Sequence, residues 1–440
     1  MSGKTSGNKD AEDGGSHLPS YKLTHRNLHP STRAIMAGYN SRLSERSVKP
    51  PLFRTSTFEF TNAEEGRQFF VRAYHLAGDD GQDPGLIYSR LNNPNVEIWE
   101  DKMVAVENGA AHAAAFPSGM NAITTTVLAL VPSGGRILYT DPVYGGTYFF
   151  FEHLGGRFGI TATAVDTSDL AKVEASLKES PVPFDLIFLE TPANPSMTLT
   201  DIEAVVALSR RHGNGKTLIA VDNTFLGPVF QQPFQQGADL VLYSATKFLG
   251  GHSDLIAGIV LAGEGSRGKE LIRSVRDFRT VLGGTLAADA AWMLTRSLET
   301  CWLRMGRQAE KAMKVAFALA SHPKVGQVIF PGLLTERDGI QYQIYQKQCS
   351  GPGSMITFYL KDGRREAAYR FLDAVKISHL AVSLGGTESL IEHPRTMTHS
   401  DMSDEALDRC RITDAMVRLS VGLESSDDLI HDLAIALDES

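Results

Sequence analysis

The chain has 440 residues, of which 42% are hydrophobic and 21% are charged, a balance typical of a soluble globular protein with two or three domains. Its net charge of −8 and the lack of a long basic run argue against nucleic acids and anionic membranes as partners. No apolar run approaches the length of a membrane span. Three scattered cysteines show no metal-ligand spacing, so we expect no metal site and reduced thiols in a cytoplasmic protein.

The N-terminal part of the chain does not predict a core of its own. Residues 1–20 are rich in Gly, Ser, Asp and Lys, which predicts a disordered tail rather than a signal peptide. Residues 21–85 are expected to form an extended arm with a helix over residues 64–77 and a polar turn over 78–85. A short strand over residues 55–58 is a further possibility.

Short apolar runs alternate with helical patterns through the middle of the chain, which predicts an α/β fold with a mostly parallel sheet and helices on both faces. Strands are expected over residues 136–140, 184–190, 240–243 and 256–262. Helices are expected over 96–108, 120–130, 170–179, 201–212, 270–278 and 286–320. We expect a large domain over residues 86–295. A smaller α+β C-terminal domain over 296–440 would contain a strand at 355–360 and a helix at 365–374.

A lysine follows an apolar run at a point where the chain turns. Residues 240–243 predict a buried strand, and Ser244, Thr246 and Lys247 come directly after it, before a glycine pair. A partly desolvated lysine can act as an amine nucleophile and form a Schiff base with a carbonyl cofactor. The two hydroxyls would hold the phosphate of that cofactor. A surface lysine after a strand is the alternative interpretation.

A second apolar run ends in a carboxylate, Asp222, 25 residues before Lys247. Two neighbouring strands would bring the two side chains to one edge of the sheet. Pyridoxal phosphate needs this pair, because the lysine binds its aldehyde and a carboxylate keeps its ring nitrogen protonated. An aspartate in a plain turn is the alternative.

Together these motifs resemble the Cys/Met-metabolism family of pyridoxal-phosphate enzymes, which includes cystathionine γ-synthases, cystathionine γ-lyases, methionine γ-lyases and homoserine-ester sulfhydrylases. The resemblance runs from about residue 50 to the C-terminus. It is carried, in the order of the family, by Asp222-Asn223-Thr224, Ser244-Ala245-Thr246-Lys247 and Gly251-His252-Ser253-Asp254. It implies a type I, aminotransferase-like fold with a seven-stranded sheet, and a homotetramer built from two catalytic dimers.

The phosphate site has two further groups of candidates. The predicted helix from Met120 would bind an anion at the backbone of Gly119 and Met120, although a plain helix start capped by Ser118 is the alternative. The resemblance favours the phosphate cup. It also implies that Tyr88 and Arg90 reach across a dimer interface to the phosphate of the neighbouring subunit, and that Tyr88 is a candidate proton shuttle.

Four more residues have roles in cofactor or substrate binding that the resemblance implies. Tyr144, which by sequence alone could be a core tyrosine, would stack on the pyridoxal ring and protonate the leaving group. Asn194 would bind the phenolic oxygen of the cofactor and help to bind substrate. Arg418 lies in an apolar strand and needs an anion. The anion could be a structural partner, whereas the resemblance makes Arg418 the clamp for the substrate α-carboxylate, with Ser383 helping.

The positions that bear on substrate choice match no single subfamily. Gly146 stands where methionine γ-lyases usually have cysteine, and Val382 stands where cystathionine enzymes usually have glutamate. Ile87 also lacks an acid found in some cystathionine γ-lyases. Arg395 replaces a residue that is usually small in the family, and we expect it to be solvated rather than to bind a distal anion.

The sequence therefore predicts a pyridoxal-phosphate carbon–heteroatom lyase that acts by γ-elimination on a small amino acid resembling methionine or homoserine. Three alternatives stay open. A γ-replacement enzyme of the cystathionine γ-synthase or sulfhydrylase type uses the same machinery. A γ-lyase for a non-sulfur analogue such as canavanine is the second. The third is a protein that binds the cofactor without turnover.

Overall fold

The computed structural model describes residues 27–76, 85–213 and 215–439. The predicted tail over residues 1–20 and almost all of the predicted polar turn over 78–85 lie outside this range. None of the helices within it is both long enough and apolar enough to cross a membrane.

A seven-stranded sheet forms the centre of the larger part of the molecule, in the order β1-β7-β6-β5-β4-β2-β3. All its strands run parallel to one another except β7, which is antiparallel to both neighbours. The prediction of a mostly parallel sheet is thus confirmed. The strands are β1 Ala110–Phe116, β2 Arg136–Thr140, β3 Thr161–Val165, β4 Leu186–Glu190, β5 Leu218–Asp222, β6 Leu240–Tyr243 and β7 Gly258–Gly263.

Helices cover both faces of this sheet, and others belong to the C-terminal part. They are α1 Pro30–Met36, α2 Ala63–Ala73, α3 Pro94–Val106, α4 Gly119–Leu130, α5 Gly145–Phe149, α6 Leu170–Glu179, α7 Ile202–His212, α8 Gly227–Phe230, α9 Gly265–Leu282, α10 Ala288–Leu298, α11 Cys301–Ser321, α12 Ile340–Gln348, α13 Arg365–Ala374, α14 Asp404–Arg409 and α15 Ser426–Glu439.

The apolar runs of the central strands follow from their burial on both faces. In β5, Ile219 and Val221 pack into one core while Leu218 and Ala220 pack into the other. Successive side chains of a strand point to opposite faces, so a strand covered on both sides needs an uninterrupted apolar run. The polar residue that ends such a run therefore stands at the edge of the sheet.

A second sheet of five strands forms the C-terminal part, in the order β10-β11-β12-β9-β8. Its strands are β8 Val325–Ile329, β9 Met355–Leu360, β10 His379–Leu380, β11 Leu390–Glu392 and β12 Met416–Ser420. Helix α11 connects the two parts, because Cys301 and Met305 pack into a core of the large sheet and Val315 and Leu319 into the core of the small one. The predicted domain boundary near residue 296 falls within α10 and stays a prediction.

Several predicted element bounds change in the structure. The helical stretch over residues 286–320 is two helices, since Thr300 leaves the helical conformation and its N–H donates to the carbonyl of Ser297. The possible strand over residues 55–58 is reduced to one bridge between Thr57 and Tyr88. The last large-sheet strand starts at Gly258 rather than at residue 256.

Part of the predicted N-terminal arm packs against the rest of its own chain. Ala34 of α1 is fully buried, and the buried Lys102 ammonium donates to the carbonyls of Ala34 and Ile35 at 2.7 and 3.1 Å. Further along, the Trp292 indole N–H donates to the carbonyl of Pro50 at 2.9 Å. The contact of the arm with a partner subunit stays a prediction.

Candidate active site

The candidate site lies at the carboxyl ends of neighbouring parallel strands, where ligands of open α/β sheets bind. Asp222 ends β5, and the chain leaves β6 through Ser244 into the turn that carries Lys247. Thr224 ties these segments together. Its hydroxyl donates to Asp222 Oδ1 at 2.6 Å and accepts the N–H of Ser244 at 2.9 Å. The two groups predicted to bind the cofactor thus stand at one edge of the sheet, as predicted.

The Lys247 amine is mostly enclosed and points at the C-terminal part of the molecule. Its Nζ donates to Ser383 Oγ at 2.7 Å. Burial, with the positive charge of Arg418 as a second cause, lowers the pKa of Lys247 to about 8. A larger share of this amine is therefore neutral near pH 7 than for an ordinary lysine, which favours nucleophilic attack on an aldehyde.

This pKa predicts how the cofactor-free protein captures pyridoxal phosphate. Only the neutral amine attacks, so the capture rate should rise about tenfold per pH unit below the pKa and level off above it. The plateau is expected above about pH 8, whereas an ordinary lysine with a pKa of 10.5 would still gain rate there. Stopped-flow absorbance on mixing protein and cofactor measures the rate. A rate that keeps increasing tenfold per unit to about pH 10 would contradict the prediction.

Asp222 is a buried carboxylate without a cation. Its Oδ1 accepts the backbone N–H and the hydroxyl of Thr224 at 3.0 and 2.6 Å, and no ion pair among the described residues includes it. Burial raises the pKa of this carboxyl above its usual value. An unpaired buried carboxylate is costly, and the protonated ring nitrogen of pyridoxal phosphate is a cation that would pair with it. The residues present therefore fit this cofactor.

The predicted phosphate cup is assembled from tightly packed backbone. A side chain at Gly119 would place its Cβ 2.8 Å from Ser244 Cβ, and one at Gly258 would place it 2.3 Å from the carbonyl oxygen of Ser118. The Ser118 hydroxyl caps α4 by accepting the N–H of Asn121 at 3.0 Å. The amide groups that begin α4 are thus next to Ser244, where a phosphate would be stabilised by the positive end of the helix.

Thr246 differs from Ser244 in how its hydroxyl is used. Thr246 Oγ1 donates to the carbonyl of Ala257 at 3.1 Å and accepts the N–H of Ala257 at 3.0 Å. The hydroxyl proton is thereby committed to the turn before β7. Its predicted role in phosphate binding stays a prediction, and in this structure the hydroxyl holds the lysine turn against the neighbouring strand.

Arg418 lies fully within the protein on β12 and meets both the predicted substrate site and a structural partner. Nη1 forms an ion pair with Glu392 at 2.9 Å and donates to Asn194 Oδ1 at 3.1 Å, while Nη2 donates to the Ser383 carbonyl at 2.9 Å. The Nε–H and one Nη2–H have no protein acceptor among the described residues. These N–H groups are able to donate to a bound carboxylate, the anion that a guanidinium prefers.

Ser383 bridges the two cations of the site. Its hydroxyl accepts from Lys247 and its carbonyl accepts from Arg418, and its φ of 93° is unusual for a residue other than glycine. Val382, the residue before it, is apolar and 55% exposed. The segment therefore combines polar contacts to the cations with an adjacent exposed apolar side chain.

Tyr144 comes between β2 and α5, and its ring lies on Gly146. A Cβ at Gly146 would come within 2.7 Å of the Tyr144 ring and 3.1 Å of Met120 Sδ. The glycine thus leaves room for the ring position seen here, which a cysteine would disturb. Burial raises the pKa of Tyr144, so its hydroxyl is protonated and able to donate.

Tyr88 and Arg90 contact other parts of their own chain rather than the lysine turn. Arg90 Nη1 donates to the Thr280 carbonyl at 2.9 Å, and its guanidinium lies 5.8 Å from the centre of the Tyr88 ring. Both side chains are exposed. Ile87, the residue before Tyr88, is buried.

The prediction that Arg395 is solvated is wrong. Its side chain is only 18% exposed. It makes ion pairs with three carboxylates, those of Asp404 at 2.8 Å, Asp408 at 3.3 Å and Asp414 at 3.6 Å. It also donates to the Ile412 carbonyl at 2.8 Å. The physical reason is that the chain after β11 folds back around this cation, which the local sequence does not reveal.

Two buried acids of the site, Glu190 and Glu392, are not among the residues predicted from the sequence. Glu190 ends the apolar run of β4 in register with Asp222 at the end of β5. The pattern that revealed Asp222, an apolar run ending in an acid, was therefore also present there. Glu392 follows Leu390 and Ile391, and its pairing with Arg418 depends on the register of β11 with β12.

Comparison with known proteins decides the family. The family model described as "Cys/Met metabolism PLP-dependent enzyme" matches residues 31–438. The chain belongs to this family. It is therefore a pyridoxal-phosphate-dependent enzyme, and the predictions of family and cofactor are confirmed.

Relatives and solved structures agree with this assignment. The chain is 38% identical to an L-methionine gamma-lyase of Pseudomonas deceptionensis over 94% of this chain and 98% of the relative. It is 36% identical to the human cystathionine gamma-lyase, over 98% and 96% respectively. The structure of a cystathionine gamma synthase from Xanthomonas oryzae pv. oryzae matches with a TM-score of 0.83 and 32% identity, over 94% of this chain and 98% of that one. The predicted fold is thus confirmed, and the relatives' names support the predicted γ-lyase class.

Proposed function

We propose that this enzyme catalyses γ-elimination on a small amino acid resembling methionine or homoserine, releasing the γ-substituent, ammonia and a 2-oxo acid. The observation that carries the proposal is the position of Arg418, whose guanidinium is bonded to the Ser383 carbonyl while the Ser383 hydroxyl is bonded to the Lys247 amine. A carboxylate bound by Arg418 would place the α-carbon of an amino acid next to the lysine. Similarity to a methionine γ-lyase and a cystathionine γ-lyase supports the choice of elimination at the γ-carbon.

The residues of the chain would divide the work as follows. When bound, pyridoxal phosphate supplies an aldehyde for the lysine and an electron sink for the negative charge at the substrate α-carbon. Lys247 would hold the cofactor through its amine, and the same amine would take the α-proton of the substrate. Asp222 would pair with the ring nitrogen, and Arg418 would hold the substrate carboxylate. Tyr144 donates a proton to the departing γ-group.

The experiment that tests the proposal is a panel of amino acids assayed for ammonia and 2-oxo acid by the cofactor-loaded enzyme. Methionine, cystathionine, canavanine and an O-acyl-homoserine are tested, each with and without added thiol. We expect oxo acid from methionine without a thiol. Cofactor binding with no oxo acid from any of them would overturn the proposal, and the absence of a thioether product in the thiol arms as well would indicate a protein without turnover on these amino acids.

Replacement at the γ-carbon is the second candidate, and the match to the cystathionine gamma synthase structure favours it. Replacement uses the same groups up to the point at which the γ-substituent leaves. In replacement a thiol then adds at the γ-carbon, whereas in elimination hydrolysis releases the 2-oxo acid and ammonia. A thioether product formed faster than oxo acid in the thiol arm of the panel would select this candidate.

Val382 is proposed to favour an apolar γ-substituent. We expect Val382→Glu to lower kcat/KM for methionine and raise it for cystathionine, each by about two- to fivefold, since an exposed ion pair with the distal ammonium contributes about 1 kcal/mol at most. The side chain is exposed, so folding should be unaffected. Val382→Gln is the matched neutral control. Equal changes for the two substrates in the glutamate variant would refute the role.

We also propose that the enzyme is a cytoplasmic homotetramer in which Tyr88 and Arg90 complete the phosphate site of a neighbouring subunit, with Tyr88 in reach as a proton shuttle. The exposure of both side chains supports this assignment, as does the exposed apolar end of α9 beside them, where Val281 and Leu282 are 82% and 57% exposed. Sedimentation velocity of the loaded enzyme tests the oligomeric state.

We also propose that the large and small domains divide near residue 296.

A further inference from the structure

Glu190 is a buried acid that none of the proposed catalytic steps uses. It ends β4 and pairs in register with Asp222 on the neighbouring parallel strand. Only 6% of its surface is exposed. Two acids side by side at the edge of a buried sheet are costly unless their oxygens are used.

Both carboxyl oxygens of Glu190 hold the backbone of residues predicted to touch the cofactor. Oε1 accepts the N–H of Asn194 at 2.7 Å, and Oε2 accepts the N–H of Tyr144 at 3.1 Å. The backbone N–H of Glu190 itself donates to Thr140 Oγ1 at 3.1 Å, which fixes the end of β4 against β2. The chain therefore uses a single side chain to set the spacing between the Tyr144 turn and the Asn194 turn.

Glu190 interacts electrostatically with other residues of the site. Asp222 faces it from β5, Arg418 from β12 and Tyr144 from the turn after β2. Burial, and then the negative charge of Asp222, raises the pKa of Glu190, whereas the two backbone N–H groups and the Arg418 charge oppose the rise. Any cation that settles next to Asp222 changes the electrostatic environment of both acids.

We infer that Glu190 is a positioning residue, which holds the Tyr144 ring and the Asn194 amide in place for pyridoxal phosphate through their backbones. It touches neither cofactor nor substrate. The inference rests on the proposed function only for the site residues, so it is tested by cofactor binding without any substrate.

The test compares Glu190→Gln with Glu107→Gln. Both wild-type residues are buried acids with a raised pKa, but Glu107 bonds the hydroxyl of Tyr243 rather than the Tyr144 or Asn194 backbone. Glutamine at position 190 keeps the size but can accept only one of the two N–H groups, since its amide nitrogen is a donor. Pyridoxal phosphate affinity is measured by titration of the cofactor-free protein. The pH midpoint of the absorbance of the loaded protein and the thermal unfolding of the cofactor-free protein are the other readouts.

Glu190→Gln should weaken cofactor binding about tenfold or more and shift the pH midpoint, while Glu107→Gln leaves both within about twofold of wild type. Unchanged affinity and midpoint in Glu190→Gln, or equal changes in both variants, would overturn the inference. If Glu190→Gln does not fold, Glu190→Asp serves, because it keeps the acid but withdraws it by one methylene. Binding and a pH midpoint like wild type in Glu190→Asp would then overturn it. Failure of the amino-acid panel with normal cofactor binding would instead count only against the proposed reaction.

Discussion

Replacing Lys247 with alanine is expected to abolish turnover, lowering kcat by at least about 10⁴-fold, because the same amine attaches the cofactor and moves the α-proton. The variant should also lose the absorbance band of lysine-bound cofactor. Steady-state assays of oxo acid and a spectrum of the purified protein measure the two effects. A variant that keeps more than a small fraction of wild-type turnover would remove the basis of the proposed mechanism.

The chain offers a matched control in Lys102. Burial also lowers the pKa of this lysine to about 8, but its ammonium is used on the Ala34 and Ile35 carbonyls. A low pKa is therefore not sufficient, and borohydride reduction of the loaded protein should fix the cofactor to Lys247 alone. Mass spectrometry of the peptides that contain Lys102 and Lys247 distinguishes the two. Label on Lys102 would show that position relative to Asp222 does not decide attachment.

Asp222→Asn is expected to lower kcat by about 10²- to 10³-fold while Lys247 still binds the cofactor. Removing one partner of a buried ion pair costs about 3–5 kcal/mol, and here the partner would be the charged ring nitrogen on which the electron sink depends. The expected pattern is retained cofactor content with slow release of the α-proton. Exchange of that proton with deuterated solvent, followed by NMR, measures the step directly.

Asp239→Asn is the control for Asp222→Asn. Asp239 lies just before β6, and its Oδ2 accepts the N–H of Ile219 at the start of β5. The substitution therefore disturbs the same two strands at the end remote from Lys247. We expect a loss of thermal stability but little change in proton exchange. Comparable slowing in the two variants would mean that the carboxylate at position 222 acts through folding rather than through charge.

The sequence by itself was enough to predict the large sheet and the main side chains of the site at its edge. Strands such as β5 and β6 are covered on both faces, so they appear as unbroken apolar runs, and a polar residue that ends one must stand at the edge of the sheet. Asp222 and Lys247 could be placed together for this reason. The position of Arg418 within an apolar strand likewise revealed a cation in need of an anion.

Only the tertiary structure decided which partners these groups have. Glu392 pairs with Arg418 because of a strand register, and Arg395 meets Asp404 and Asp408 because the chain after β11 folds back on itself. Glu190 ends an apolar run in the same way as Asp222, yet its two oxygens accept the backbone N–H groups of Asn194 and Tyr144, whereas Asp222 Oδ1 accepts from nearby Thr224. Local sequence fixes which residues end a strand, but long-range packing fixes what each charge faces, because the partners come from distant segments of the chain.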